Sequence, residues 1–118
     1  MLEALPDLVN ANPALVRRGR WTHATCLIEI GEQGWLVRID AGRITVQRET
    51  WRVSDWDFAI RGPEEAWLKF WASMPPPMHH DLHALVRTGK FRLEGDIDLM
   101  LANMLYLKLV LETLRGRV

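Results

Sequence analysis

The sequence predicts an α+β domain, built as a single five-stranded, mostly antiparallel sheet with helices over one of its faces. Three observations carry this. Apolar residues alternate with a period of two between Ala24 and Ile60, and glycine-bearing turns interrupt the run. The positions in between, Arg38, Asp40, Arg43, Thr45, Gln47, Asp57 and Arg61, are mostly polar, as on a sheet with one solvated side. Helical patterns are confined to the residues before Arg20 and to the half of the chain after Gly62.

The chain opens with two short helices between Leu2 and Arg18. Pro6 and Pro13 each suit a first helical turn, where the missing N–H would have had no partner anyway. Asn12 stands where an N-cap belongs, and Gly19 closes the second helix. Ala24, Cys26, Ile28 and Ile30 then alternate along a first strand. Gly31 and Gly34 bracket a turn into Trp35–Asp40, Asp40-Ala41-Gly42 turns the chain again, and Ile44 and Val46 continue the pattern. Trp56, Phe58 and Ile60 are the inward set of a fourth strand, and the four are expected to form one antiparallel meander.

Gly62-Pro63-Glu64-Glu65 starts a helix, with proline in its first turn and two carboxylates at the positive end of its dipole. Ala66, Trp67, Phe70, Trp71 and Met74 form its inward stripe, and Pro75-Pro76-Pro77 stops it. A shorter helix is expected from about His79 to Thr88, with Leu82, Leu85 and Val86 inward and Gly89 as a left-handed cap. Lys90 to Glu94 alternates as the fifth strand. Asp96 then caps a last helix running from Ile97 to Leu114. Cys26, Ile28, Val37, Ile39, Ile44, Val46, Phe58, Ile60, Phe91 and Leu93 are expected to face the helices.

With 118 residues, 48% of them hydrophobic, the chain reads as one domain over 1–118, with residues 1–20 a helical segment packed on it. Fifteen basic residues balance fifteen acidic ones, so the charge footprint of a nucleic-acid partner is missing. Cys26 is the only cysteine, so no disulfide forms within the chain. No basic leader followed by an apolar run appears, and no uninterrupted apolar stretch of about 20 residues. A cytoplasmic location without integral membrane association is the expectation.

The last helix is greasy on more than one side. Ile97, Met100, Leu101, Met104, Leu107, Leu111 and Leu114 share one side, while Leu99, Tyr106, Leu109 and Val110 fill much of the rest. An ordinary surface helix has an apolar stripe a little over 100° wide, so this one is expected to bury two sides, with Leu101 packed on the sheet. Its second side faces other helices and a ligand cavity, or a second copy of the chain, against the plainer reading of a fully enclosed core helix. Four methionines, Met74, Met78, Met100 and Met104, flank the proline loop or lie on this helix, and flexible, polarizable thioethers suit a pocket for apolar ligands of varied shape.

The order of elements and three segments resemble the sterol carrier protein 2 (SCP2) fold family, in a small bacterial-type form. The segments are Gly34–Asp40, the junction Phe58-Ala59-Ile60-Arg61-Gly62-Pro63-Glu64-Glu65-Ala66-Trp67, and Leu85 to Asp96, where a helix ends at glycine, a strand follows and Gly-Asp opens the C-terminal helix. The resemblance implies a hydrophobic tunnel between sheet and helices that receives a fatty acid, an acyl-CoA or a sterol-like molecule. The expected pocket residues are Trp67, Phe70, Trp71, Met74, Met78, Leu82, Leu85, Met100, Met104, Leu107 and Leu111, with the mouth near the proline loop. The competing reading is a homodimerising or enzyme-associated interaction domain that uses the last helix.

Catalytic motifs are missing: there is no Gly-x-Ser-x-Gly, phosphate loop or dinucleotide fingerprint, and no cofactor is implied. On a helix His79 and His83 would share a face and, with Asp81, form the one candidate metal set. No acidic residue stands where a zincin base would, and polar residues collect naturally at a helix start, so no metal is expected. Cys26 lies in the apolar register of its strand and reads as a buried structural thiol.

Overall fold

The computed structural model describes residues 1–49 and 55–118. Two helices, α1 (Leu5–Asn10) and α2 (Pro13–Arg18), precede three strands, β1 (His23–Ile30), β2 (Gln33–Asp40) and β3 (Arg43–Glu49). Then follow β4 (Phe58–Gly62), α3 (Glu64–Phe70), α4 (Leu82–Arg87), β5 (Arg92–Gly95), α5 (Ile97–Ala102) and α6 (Met104–Glu112). The helix starts follow from local chemistry. The side chain of Asn12 accepts from Leu15 N ahead of Pro13, and that of Asp96 accepts from Leu99 N at 3.0 Å.

The strands form one five-stranded sheet in the order β3-β2-β1-β4-β5. Its inner face carries Cys26, Ile28, Val37, Ile39, Ile44, Phe58 and Ile60, which join the helices in one buried cluster together with Phe91, while Val46 and Leu93 pack against it. The predicted face is therefore the buried one. The meander, however, is three-stranded: β1 pairs antiparallel with β2 and β2 with β3, but β4 lies on the far side of β1 and runs parallel to it. Alternation specifies which face a residue takes and says nothing about which edge the next strand joins.

Trp56 is a second correction. A bend at Asp57 precedes β4, and Trp56 packs on the outer face against Leu27, Leu36 and Ala59. The outer face is thus not wholly polar.

The proline loop acts earlier than expected. In a continuing α3 the carbonyls of Trp71, Ala72 and Ser73 would need the N–H groups of residues 75–77, and all three are prolines. The helix ends at Phe70 with Trp71 as its C-cap, and Gly116 N supplies the donor for Trp71 O at 2.8 Å. Met74 consequently leaves the inward stripe and is 88% exposed. His79 also lies outside a helix. Asp81 is the N-cap of α4, its carboxylate accepting from His83 N, so His79 and His83 do not share a helical face. The fifth strand starts two residues later than expected, because Lys90 N and Phe91 N both donate to Leu85 O at the end of α4.

The predicted last helix is two helices. Asn103 interrupts it: its amide nitrogen donates to Leu99 O at 2.9 Å, and its oxygen accepts from Thr22 Oγ1 at 2.7 Å. An asparagine side chain competes with the helical ladder in this way. Leu101 is 52% and Leu105 56% exposed on either side of this break, so Leu101 does not pack on the sheet and not every apolar residue of the segment is buried.

Candidate functional site

The space between sheet and helices is organised by an aromatic layer. Trp67 stacks on Phe91 with centroids 4.2 Å apart and on Trp71 at 5.1 Å, while Phe70 meets it edge-on at 6.2 Å. Trp67 and Trp71 lie four apart and project from the end of α3 toward the sheet and α6. Each indole nitrogen is bonded: Trp67 Nε1 donates to Glu29 O at 3.0 Å, and Trp71 Nε1 to Leu111 O at 2.9 Å. The layer is therefore fixed to β1 on one side and to α6 on the other.

Of the residues predicted to line a pocket, Trp67, Phe70, Trp71, Leu82, Leu85, Met100, Leu107 and Leu111 belong to one buried cluster, and Met104 packs against it half-buried. Met74 and Met78 stand apart from it, exposed on a proline loop whose Pro75 is buried. Three further residues shape this region and escaped the sequence reading of the site. Phe91 completes the aromatic stack. Tyr106 donates its hydroxyl to Gly42 O at 3.0 Å, tying α6 to the β2–β3 turn, and burial pushes its pKa up to about 12. Arg115 donates to Phe70 O and His80 O, each at 3.0 Å, and lies over the Phe70 ring at 4.9 Å, holding the chain's end against the proline loop. Hydrophobic period marks Phe91 as inward. The roles of Tyr106 and Arg115 depend on partners 64 and 45 residues away, which no local pattern reveals.

Burial pushes the Cys26 thiol well above its ordinary range, so it stays protonated at neutral pH and is a poor nucleophile. His79 Nδ1 lies 3.0 Å from Pro77 O within its own loop. Among the described residues no group of three or more His, Cys, Asp or Glu side chains is arranged to hold a metal ion. Among them, too, no helix is long and apolar enough to cross a membrane. A polar cavity of about 380 Å³ lies on the outer face of the sheet, lined by Thr25, Arg38, Asp55, Trp56 and Asp57, away from the aromatic layer.

A family model described as the SCP-2 sterol transfer family matches residues 2–108. Among solved structures the chain is similar to a crystal structure of sterol carrier protein 2, with 12% identity and a TM-score of 0.75 over 96% of this chain and 92% of that one. It is also similar to a UbiJ-SCP2 ubiquinone synthesis protein, with 20% identity and a TM-score of 0.62 over 92% and 87% of the two chains. The NMR structure of palmitated SCP2L2 from Aedes aegypti matches with 18% identity and a TM-score of 0.61 over 92% and 89%. No curated protein matches the sequence significantly. At these identities the structural likenesses speak for the fold alone.

Proposed function

The chain belongs to the SCP-2 sterol transfer family, and from that premise we propose that it is a non-catalytic binding module for an apolar, lipid-like ligand held between the sheet and the helices. A fatty acid, an acyl-CoA or a sterol-like molecule is the class intended. One observation carries the reading. At the α5–α6 break the apolar interior runs out to the surface, from fully buried Met100 through half-buried Met104 to exposed Leu101 and Leu105. Such a gradient suits a ligand that enters from solvent and ends in an apolar layer. Methionine side chains reorient at little cost, so they can yield to the ligand while the bonded indoles of Trp67 and Trp71 stay in place. Trp67, Phe70, Trp71, Leu82, Leu85, Met100, Met104, Leu107 and Leu111 are the proposed wall, and Met74 and Met78, exposed on the proline loop, stand outside it. The palmitated relative supports a fatty acid as the first ligand to try.

Native mass spectrometry of the purified protein, with titration of its tryptophan fluorescence by palmitate, palmitoyl-CoA and cholesterol, tests the reading. Saturable binding is expected, and Met104→Trp should weaken it by filling the space while the domain still melts cooperatively. Absence of binding by every ligand, or a Met104→Trp variant that binds like the wild type, would falsify the proposal.

The exposure of Leu101 and Leu105, one helical turn apart in sequence, favours a second reading in which this surface docks another copy of the chain or an associated enzyme. Sedimentation with and without lipid separates the two. A dimer that forms without lipid and carries none supports docking.

A further inference from the structure

A cavity of about 280 Å³ opens at the end of the sheet where β1, β4 and the α4–β5 turn meet. Its charged lining is Glu29, Arg61, Lys90 and Arg92, three cations to one carboxylate. Arg61 is neutralised twice over, by Glu29 and by Glu94, which accepts from its Nε at 2.8 Å. The other two cations are not. Among the described residues neither Lys90 nor Arg92 forms an ion pair. Arg92 moreover stands directly opposite Arg61 in the β4–β5 register, and like charges at facing positions of a ladder destabilise it. Among the described residues Glu29 and Glu94 together offset two of the three cations, and a bound anion would balance the positive charge left over.

The backbone around the cavity is bare. It turns at Gly31 and Gly89, with φ of +59° and +78°, and a side chain added at Gly89 would meet nothing within 4 Å. Immediately inside the third glycine, Gly62, lies the aromatic layer: a Cβ there would stand 2.3 Å from the Phe91 ring and 3.2 Å from Trp67 Nε1. Phe91 is also the residue between Lys90 and Arg92. Arg92 lies on the outer face and Phe91 on the inner one, so the surplus positive charge and the edge of the apolar interior flank the same end of the sheet, where Gly62 separates them by backbone alone.

We propose that this cavity is an oxyanion site that takes the phosphate headgroup of an anionic amphiphile, with Lys90 and Arg92 as its cations. Arg92 presents a fork of N–H donors matched to phosphate oxygens, Lys90 adds a mobile ammonium, and the tail lies toward the Trp67–Phe91 stack. The amphiphile rests on the lipid-binding reading above; the oxyanion site rests on the cavity alone.

The test follows the amide signals of Gly31, Gly62 and Gly89 by NMR in the full chain at constant ionic strength. Inorganic phosphate, 1-oleoyl lysophosphatidate and uncharged monoolein are titrated below their aggregation thresholds. Lysophosphatidate should shift all three glycines and bind on the order of tenfold more tightly than monoolein, the scale expected of charged hydrogen bonds. Lys90→Ala/Arg92→Ala, which alters two exposed side chains, should bring its affinity down to that of monoolein, and Arg92→Gln should do so in part. Glycine shifts by inorganic phosphate without any advantage of lysophosphatidate over monoolein overturn the headgroup assignment in favour of free phosphate. Silence of the glycines toward both anions, or an undiminished preference in the double variant, overturns the site. Failure of the lipid reading has its own signature, since monoolein would then leave the tryptophan fluorescence untouched whatever the glycines report.

Discussion

Thr22 Oγ1 donates a hydrogen bond of 2.7 Å to Asn103 Oδ1 across 81 residues of sequence, and this contact ties the start of β1 to the break between α5 and α6. Asn103 answers on its other side by donating to Leu99 O at 2.9 Å. One side chain thus takes up a carbonyl of α5 and ties the break to the residue that precedes β1. Thr22 is itself buried.

Removing either partner should leave the other short of a hydrogen bond. Asn103→Ala is expected to cost about 1–3 kcal/mol and Thr22→Val about 1 kcal/mol in urea denaturation. The double variant should cost less than the sum, with a coupling of about 0.5 kcal/mol or more. Strict additivity would show that the contact does not stabilise the break.

The break also sets neighbouring residues at opposite extremes of burial. Met100 is fully buried and Leu101 is half in water. Met100→Ala should cost about 2–5 kcal/mol, as large-to-small changes in a core do. Leu101→Ala should stay within about 0.5 kcal/mol, the usual range for a surface site. Chemical denaturation of the two variants side by side checks both, and comparable losses would mean that the segment is one continuous helix packed on the sheet.

Tyr106 gives the domain an alkaline sensitivity. Its pKa rises from 10.0 to about 12 because burial disfavours the phenolate. The folded state then holds its proton where the unfolded chain has lost it, so this contribution is intact below pH 10 and disappears as pH rises toward 12. At 1.36 kcal/mol per pH unit the loss is at most about 2–3 kcal/mol. Tyr106→Phe should lose the bond to Gly42 O, costing about 1 kcal/mol at neutral pH. Its stability should then fall less steeply than that of the wild type between pH 10 and 12. Parallel curves for the two proteins over that interval would refute the assignment.

Much of the candidate site could be read from side-chain spacing. Trp67, Phe70 and Trp71 recur at helical intervals after a proline start, and Leu82 and Leu85 after an aspartate cap, so their shared inward face follows from helix geometry alone. Met74 fits the same stripe by spacing yet lies on the surface, because the helix ends before reaching it. The sequence does contain the cause, since the three prolines withdraw the donors that residues 71–73 would need. Helix termination acts one turn before the residue that produces it. The oxyanion cavity left no sequence signal, for Glu29, Arg61 and Arg92 come from three separate strands.

By itself the sequence determined the α+β class, the five strands, the buried face of the sheet and the capped starts of α2 and α5. Each rests on periodicity or on a side chain meeting backbone a few residues away, which is local physics. Only the tertiary structure decided that β4 joins β1 in parallel, that Trp56 belongs to the outer face and that the last helix breaks at Asn103. Those outcomes depend on partners remote in sequence: Cys26 opposite Phe58, Leu27 and Leu36 beneath Trp56, and Thr22 against Asn103. Alternation constrains the face a residue occupies but leaves its neighbour open, and that neighbour is settled when the whole chain finds the arrangement that buries its apolar face and pairs its polar groups together.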